Sequence, residues 1–199
     1  MDAITCTDEA LVDSARLGHR EAFDALVRRY QFQAVSIARG VLGNSELAKD
    51  ASQNAFAKAY FGLKSFRGDS KFKTWFYRIL INEAKDVLRK EKARGLFRFL
   101  REAEDEEGES ESILEVIPSP GRLPQEEVEA QETRSRLEQA IRRLPPMERE
   151  VFILRYFQDL PLDEVAGALG IAVGTVKAHL AHGLAKLKLS LKEPAGQVK

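Results

Sequence analysis

A strongly acidic segment followed by closely spaced prolines interrupts this sequence near its middle. Residues 102–112 hold seven Asp and Glu without a Lys or Arg, and three prolines and a glycine follow within residues 118–124. The first stretch is too charged and too poor in apolar residues to bury a face, and the second disfavours any regular element. We therefore predict a linker over residues 96–125 that joins two folded domains, residues 1–95 and 126–199.

The three parts of the chain differ in charge, although the 31 basic and 31 acidic residues of the whole sequence cancel. Residues 1–92 carry 16 Lys and Arg against 12 Asp and Glu, residues 93–135 carry 5 against 12, and residues 136–199 carry 10 against 7. A negative connector thus separates two mildly basic blocks. Its composition favours a solvated tether, but the apolar patch Ile113–Ile117 leaves docking or folding on a partner as an alternative.

Several classes of protein are excluded by what the sequence contains. No apolar run approaches the roughly 20 residues that span a bilayer, and the N-terminus lacks the pattern of a secretory signal. Cys6 is the only cysteine, so no internal disulfide can form. His179 and His182 are spaced three apart without a nearby carboxylate or cysteine, which makes them a poor metal site. The single cysteine and the missing signal favour a cytoplasmic protein. Because the phosphate-loop, nucleophile-elbow and zinc-protease motifs are missing, we expect a protein that is not an enzyme and has no cofactor or metal.

Apolar residues recur every three or four positions in both blocks, and none alternate long enough to predict a strand. The fold class expected is therefore all-α, with two small helical domains. In the first, Asp8 is expected to cap a short helix. Gly43 with Asn44 is expected to end a long helix that begins near His19, and Asn44 or Ser45 to cap the next one. The turn at Phe66–Ser70 precedes a last helix.

The segment from Leu160 to Leu180 has the spacing of a helix-turn-helix. Gly170 permits the turn, and the apolar set consists of Val165, Ala166, Leu169, Ile171, Val176 and Leu180. The second helix would then present its polar side to a major groove. A helical hairpin of another kind has the same apolar spacing, so this pattern favours DNA binding without requiring it.

Aromatic and basic residues are interleaved between Phe66 and Arg78. Rings can stack on unpaired bases while cations hold phosphates, a combination typical of proteins that bind single strands. The alternative is that Trp75, Phe76 and Ile79 belong to the core. Asn82 follows on the same helix with the paired donor and acceptor that suit a base edge, on one face with Asp86 and Arg89.

Three segments together resemble the extracytoplasmic-function sigma factors, the smallest sigma subunits of bacterial RNA polymerase. They are Asp50–Tyr60, Phe66–Ile79 with Asn82 and Asp86, and Val173–Lys177. The resemblance implies an adaptor whose first domain docks on the β′ clamp helices of core RNA polymerase and opens promoter DNA at −10. The second domain would read the −35 duplex and hold the β flap, while the acidic linker runs through polymerase channels whose basic walls suit it.

The same resemblance implies the residues for each task. Core polymerase would be bound by Asp50, Gln53, Asn54, Phe56 and Tyr60. Capture of a flipped non-template base and contacts to the −10 strand would come from Phe66, Arg67, Ser70, Lys71, Phe72, Lys73, Trp75, Arg78 and Asn82. The −35 element would be contacted by Arg155, Gly174, Thr175, Lys177, Ala178, His179 and His182. An anti-sigma factor is a further partner that the family implies.

The sequence departs from the family pattern at two places. Asn54 stands where Glu is usual, which removes one charged contact to the clamp, and His179, His182 and Leu184 stand where Arg is usual. Histidine is mostly neutral at pH 7, so this helix should bind DNA phosphates weakly. Its affinity for DNA should then depend little on salt concentration. We expect the C-terminal domain alone to bind −35 duplex weakly, with an affinity that rises as the pH falls from about 7.5 to about 6. Fluorescence anisotropy across that range tests this, and a pH-independent curve would contradict it.

Two other classes of function fit parts of the sequence. A free-standing helix-turn-helix regulator, binding duplex DNA as a dimer, accounts for the C-terminal block but leaves Phe66–Arg78 without a task. A helical module that binds only proteins would show no affinity for nucleic acid. Promoter-dependent transcription with added core polymerase separates these alternatives from a sigma factor.

Overall fold

The computed structural model describes residues 6–99 and 135–192, and every regular element in these ranges is helical, as the sequence predicts. The first block contains α1 (Asp8–Arg16), α2 (Arg20–Leu42), α3 (Ser45–Gly62) and α4 (Phe72–Phe99). A short 3-10 turn, Leu63–Ser65, leads out of α3. Since α4 continues to Phe99, helix extends four residues past the expected domain boundary at residue 95. The rest of the predicted linker lies outside the described residues.

The second block contains α5 over 135–142, α6 (Pro146–Phe152), α7 (Leu162–Leu169) and α8 (Val173–Lys192). A π-helical turn, Ile153–Phe157, continues α6 toward the loop before α7. Among the helices described, none has the length and apolar character needed to cross a membrane.

The helix ends in the first block follow local capping chemistry. The sequence predicts Asp8 as the cap of α1, but Thr7 holds that position, and its hydroxyl accepts a hydrogen bond from the Ala10 N–H at 3.3 Å. Asp8 is wrong as the cap because its carboxylate is engaged by side chains of α2. Gly43 ends α2 in the left-handed conformation with φ of 71°, and Asn44 caps α3 through a 2.9 Å bond to the Leu47 N–H. These last two predictions are confirmed.

An aromatic cluster forms the centre of the first block. Phe76 is fully buried on α4, stacks on Phe56 of α3 at 4.4 Å between ring centroids, and lies 6.2 Å from Tyr30 of α2. Around it α2 and α3 approach each other through small, fully buried residues: Ala34, Ala38, Ala48, Ala51, Ala55 and Ala59. The alternative that placed Phe76 in the core is therefore correct.

The helix-turn-helix forms as the apolar pattern predicts. Val165 and Ala166 of α7 and Val176 of α8 are buried, and Leu169, Ile171 and Leu180 pack against them. Gly170 ends α7 in the left-handed region with φ of 69°, a conformation that glycine adopts without steric strain. The turn therefore places α8 across α7.

The two blocks pack against each other, α4 on α7 and α2 on α6, and one continuous apolar cluster includes residues of both. A buried ion pair joins them, with Lys85 Nζ on α4 at 2.7 Å from Glu150 Oε2 on α6. Burial raises the pKa of the Glu150 carboxyl, and the hydrogen bond from Lys85 acts in the opposite direction. The arrangement differs from two domains joined only by a tether, because each contributes a face that the other covers.

Candidate nucleic-acid interface

The loop between α3 and α4 is shaped by its 3-10 turn and by one glycine. The Phe66 N–H donates to the Leu63 carbonyl at 3.2 Å, which closes the turn, and Gly68 lies in the left-handed region with φ of 81°. Four residues after Gly68 the chain enters α4. The loop therefore leaves Arg67, Ser70 and Lys71 exposed on one side of the first block.

A cavity of about 350 Å³ lies between this loop and α1. Its lining from the loop is Phe66, Arg67, Gly68, Ser70, Lys71 and Phe72, and from α1 Glu9, Val12, Asp13 and Arg16. That volume falls within the range of about 300–1,000 Å³ common for small-ligand sites. The walls offer both cations and carboxylates, so a flat polar group with donors and acceptors could be held there.

An ion-pair network between α1 and α2 holds the α1 wall of the cavity, and its members are too far apart in the chain for a local pattern to predict their contact. Arg29 Nη1 lies 2.5 Å from Asp8 Oδ1, its Nη2 donates to the Cys6 carbonyl at 2.8 Å, and the Tyr30 hydroxyl donates to Asp8. Burial and the hydrogen bond to Asp8 both raise the pKa of the Tyr30 hydroxyl, so it stays protonated as a donor. Together with the buried Leu11 and Val12, this network fixes α1 against α2 and so places Glu9, Asp13 and Arg16 at the cavity.

The aromatic side chains of the loop are less exposed than a stacking surface requires. Phe66 and Phe72 are 8% and 2% exposed, and Trp75 is half-buried with its ring 4.8 Å from that of Phe66. Phe66 and Phe72 therefore form the floor of the cavity, and their contact with the −10 strand stays a prediction. The packing of these two rings sets the shape of the cavity, and polar residues line its rim.

Three cations in and beside the cavity contact the second block. Lys71 Nζ lies 2.6 Å from Glu164 Oε1, and Lys73 Nζ lies 3.7 Å from Glu164 Oε2. The hydrogen bond to Glu164 and the negative charge of that carboxylate raise the pKa of Lys71, which keeps it protonated. Arg78 donates to the Gly167 carbonyl from Nε at 2.9 Å and from Nη2 at 2.5 Å. Three expected contacts to the −10 strand thus have protein partners in this structure.

Asn82 is exposed on α4 but does not line the cavity. It lies ten residues after Phe72, which is about 15 Å along a helix at about 1.5 Å per residue. The lining of the cavity thus comes from the loop and α1, and joint capture of one base by the loop and Asn82 stays a prediction.

The polymerase-binding set on α3 divides between two faces. Asp50, Gln53 and Asn54 are exposed on the outer face. Phe56 points inward onto Phe76, and Tyr60 is 42% exposed with its ring 5.1 Å from Phe23. Phe56 is half-buried with its ring stacked on Phe76, so only part of it is open to a partner, and its role in docking stays a prediction.

The −35 set lies mainly along α8. Gly174, Thr175, Lys177, Ala178 and His182 are exposed, whereas His179 is half-buried with its Nδ1 enclosed and without a hydrogen-bond partner. Arg155 lies outside α8, in the π-helical turn, where it bonds to Asp159 at 3.1 Å and to the Leu160 carbonyl at 3.3 Å. Over residues 6–99 and 135–192, no three His, Cys, Asp or Glu side chains are grouped as a metal site would need.

Comparison with known proteins identifies the family of both blocks. The family model for Sigma-70 region 2 matches residues 26–94, and that for Sigma-70 region 4 matches residues 134–187. The first of these contains α3, the loop and most of α4, and the second contains the helix-turn-helix. The two matches therefore fall on the surfaces described above.

Relatives extend the match to nearly the whole chain. The chain is 32% identical to the extracytoplasmic-function (ECF) sigma factor SigW of Bacillus subtilis over 92% of this chain and 95% of that one. It is 36% identical to the ECF sigma-E factor of Escherichia coli K12 over 87% and 88%.

Solved structures agree in fold. CnrH in complex with the cytosolic domain of CnrY superposes with a TM-score of 0.68 at 23% identity over 98% of this chain and all of that one. RpoE in complex with the anti-sigma factor NepR from Bartonella quintana gives 0.65 at 21% identity over 86% and 98%. With sequence and fold in agreement, the chain belongs to the ECF sigma factors, DNA-binding transcription regulators that act with RNA polymerase in transcription initiation.

Proposed function

We propose that this protein binds core RNA polymerase through α3, holds a flipped non-template base of the −10 element in the cavity beside Phe66–Phe72, and reads the −35 duplex with α8. The main support for the proposal is the cavity beside the loop between α3 and α4, which has an apolar floor and a polar rim. Reconstitution with core polymerase tests it. Promoter-dependent transcripts and a footprint over −10 and −35 are expected, and the absence of promoter-dependent transcripts with core polymerase would contradict it.

The −10 step needs energy to unpair and unstack a base, a few kcal/mol in total. A cavity with Phe66 and Phe72 as its floor can offset this by enclosing the base, and Arg67 at the rim can pair with a phosphate. Asn82, exposed further along α4, contributes its amide to reading the unpaired strand. Trp75 supports the loop from below through its ring contact with Phe66.

The −35 step uses the exposed side of α8. Gly174, Thr175 and Lys177 lie in its first turns, where a recognition helix contacts base edges and phosphates. Only Lys177 among these is charged, so the helix supplies little electrostatic attraction to DNA. This is consistent with a factor that binds promoters poorly alone and acquires its affinity from polymerase.

Asp50→Ala is expected to weaken binding to core polymerase about tenfold, because removing one interface anchor commonly costs 1–2 kcal/mol. The carboxylate is exposed on α3 and no hydrogen bond within the described residues depends on it, so folding should be unaffected. Affinity is measured by titrating labelled factor with core enzyme. Binding equal to that of the parent protein would remove Asp50 from the docking surface.

A matched control for Asp50→Ala is Asp24→Ala. Asp24 is also exposed in a helix, but on α2 and outside the proposed docking face. It should leave core affinity unchanged, whereas a similar loss in both variants would indicate a general charge effect. Promoter opening per bound holoenzyme should remain normal for both.

A regulatory protein is a further candidate partner of this factor. CnrH and the Bartonella quintana RpoE were each solved with another protein bound, and for RpoE that protein is an anti-sigma factor. We propose an anti-sigma partner for this chain as well, acting in the cytoplasm where polymerase is found. Such a partner should prevent binding of core polymerase in a competition assay.

A further inference from the structure

The last turn of α3 carries two neighbouring aromatic residues with exposed side chains. Phe61 is 80% exposed and Tyr60 is 42% exposed, and their ring centroids lie 5.8 Å apart in an edge-on arrangement. The Tyr60 ring also packs on Phe23 of α2, 5.1 Å away. Phe61 is thus supported by an anchored neighbour, while most of its own apolar surface faces water.

The −10 cavity and the core leave Phe61 unused. Among the described residues, neither the lining of the cavity nor the buried apolar cluster includes it, and the family resemblance assigns it no task. Keeping a large apolar side chain in water forgoes the free energy gained by burying it. Because single exposed apolar residues are common on protein surfaces, the position of Phe61 on its helix decides whether it fits a partner.

Phe61 lies on the stripe of α3 that is expected to dock on polymerase. The stripe contains four exposed residues spaced by four, three and four positions: Asp50, Asn54, Ala57 and Phe61. Residues with this spacing lie on one side of an α-helix, one above the other. The same spacing forms the seam along which one helix packs against another in a coiled coil. A helical partner lying along this stripe therefore contacts Phe61 as well as Asp50.

The two ends of the stripe differ in chemistry. Asp50 is its only charged member, and the neighbouring Lys58 pairs with Glu83 of α4. Phe61 lies three helical turns after Asp50, about 16 Å along the helix at about 1.5 Å per residue. One end thus offers a carboxylate to a polar group of the partner, and the other end offers an aromatic ring to an apolar one.

We propose that Phe61 is a hydrophobic anchor of the factor on core RNA polymerase, with its ring buried between apolar side chains of the β′ clamp helices. The inference rests on the proposed docking of α3 and adds to it a residue outside the expected docking set. Polymerase is the occupant because the exposed ring continues the stripe that begins at Asp50. Aromatic residues are enriched at protein interfaces, and buried aromatic anchors are often among the residues whose truncation costs most affinity.

Phe61→Ala is expected to weaken binding of the full chain to core polymerase about thirtyfold, a larger loss than that of Asp50→Ala. The loss comes from apolar contact area that alanine does not provide. Phe61→Leu keeps an apolar side chain of similar reach and should bind within about threefold of the parent protein. Labelled variants titrated with core enzyme measure both values.

Phe32→Ala is the matched control for this truncation. Phe32 is the same residue type, 71% exposed on α2 and outside the stripe, so its truncation should leave core affinity unchanged. Salt then distinguishes the two ends of the stripe, because raising it from about 0.1 M to about 0.5 M screens charges but not apolar contacts. The loss for Asp50→Ala should shrink in the higher salt, whereas the loss for Phe61→Ala should persist.

The outcomes separate the anchor from the docking on which it rests. Loss of affinity for Asp50→Ala but not for Phe61→Ala overturns the anchor and leaves the docking face in place. Parent-like binding by both variants means that α3 does not dock, and the inference falls with it. An equal loss for Phe32→Ala also overturns the anchor. So does a parent protein that sediments as a dimer while Phe61→Ala sediments as a monomer with unchanged core affinity, because a second copy then covers the ring.

Discussion

Asn82→Ala is expected to lower the rate of open-complex formation roughly tenfold while leaving the affinity for core polymerase unchanged. The side chain is exposed on α4, and its amide can donate to and accept from one base edge. Loss of such a paired contact removes about 1–3 kcal/mol of discrimination, which corresponds to a factor of ten or more in rate when the contact forms in the opened state. Permanganate reactivity of unpaired thymines, followed in time, measures the opening.

The substitution should not harm the fold, because alanine favours helix more than asparagine does. A promoter with its −10 region already unpaired separates two explanations. If Asn82 reads a base of the single strand, the variant should also bind this premelted promoter more weakly. Opening at the parent rate would show that Asn82 takes no part, and normal binding of the premelted template would limit its role to strand separation.

Phe76→Ala is expected to lower the free energy of unfolding by about 3–5 kcal/mol, the usual loss for truncating a buried aromatic residue. Phe76 is fully buried and packs on Phe56, Phe72, Tyr30 and Tyr77. Since whole domains are stable by only about 5–15 kcal/mol, a large part of the stability would be lost. Urea unfolding followed by circular dichroism measures the change.

Phe61→Ala is the matched control for this truncation. Phe61 is the same residue type on the neighbouring helix α3 but is 80% exposed, so its removal leaves no cavity. The free energy of unfolding should change by less than about 0.5 kcal/mol. A loss for Phe76→Ala that is no larger than for Phe61→Ala would show that the aromatic cluster is not the centre of the core.

The predicted helices and the helix-turn-helix are confirmed. They could be predicted because local sequence patterns determine them. Gly43 and Asn44 separate α2 from α3 because one adopts positive φ easily and the other supplies a side-chain acceptor to a free N–H. Apolar spacing of three and four places Val165, Ala166 and Val176 on facing sides of α7 and α8. The predicted cap of α1 is wrong because the Asp8 carboxylate instead accepts hydrogen bonds from Arg29 and Tyr30, which lie 21 and 22 positions away in the chain.

The candidate site depends on distant contacts and is predicted only in part. The loop from Phe66 to Phe72 is recognisable in the sequence, but the opposite wall of its cavity comes from α1, more than fifty residues earlier. A list of aromatic and basic residues does not tell which rings face the core, so Phe66 and Phe72 are predicted as stacking surfaces although they are buried. Phe56 on α3, predicted as a docking residue, is likewise half-buried, with its ring stacked on Phe76.

The sequence by itself determines the elements and the family, because helix periodicity, caps, turns and motifs are all read from residues within a few positions of one another. Only the tertiary structure decides which surfaces are free. Lys71, Lys73 and Arg78 are obvious cations in the sequence, yet their partners are Glu164 and the Gly167 carbonyl, about ninety residues later. Charge pairing across such a separation follows from how the two blocks pack, and no local pattern encodes that packing.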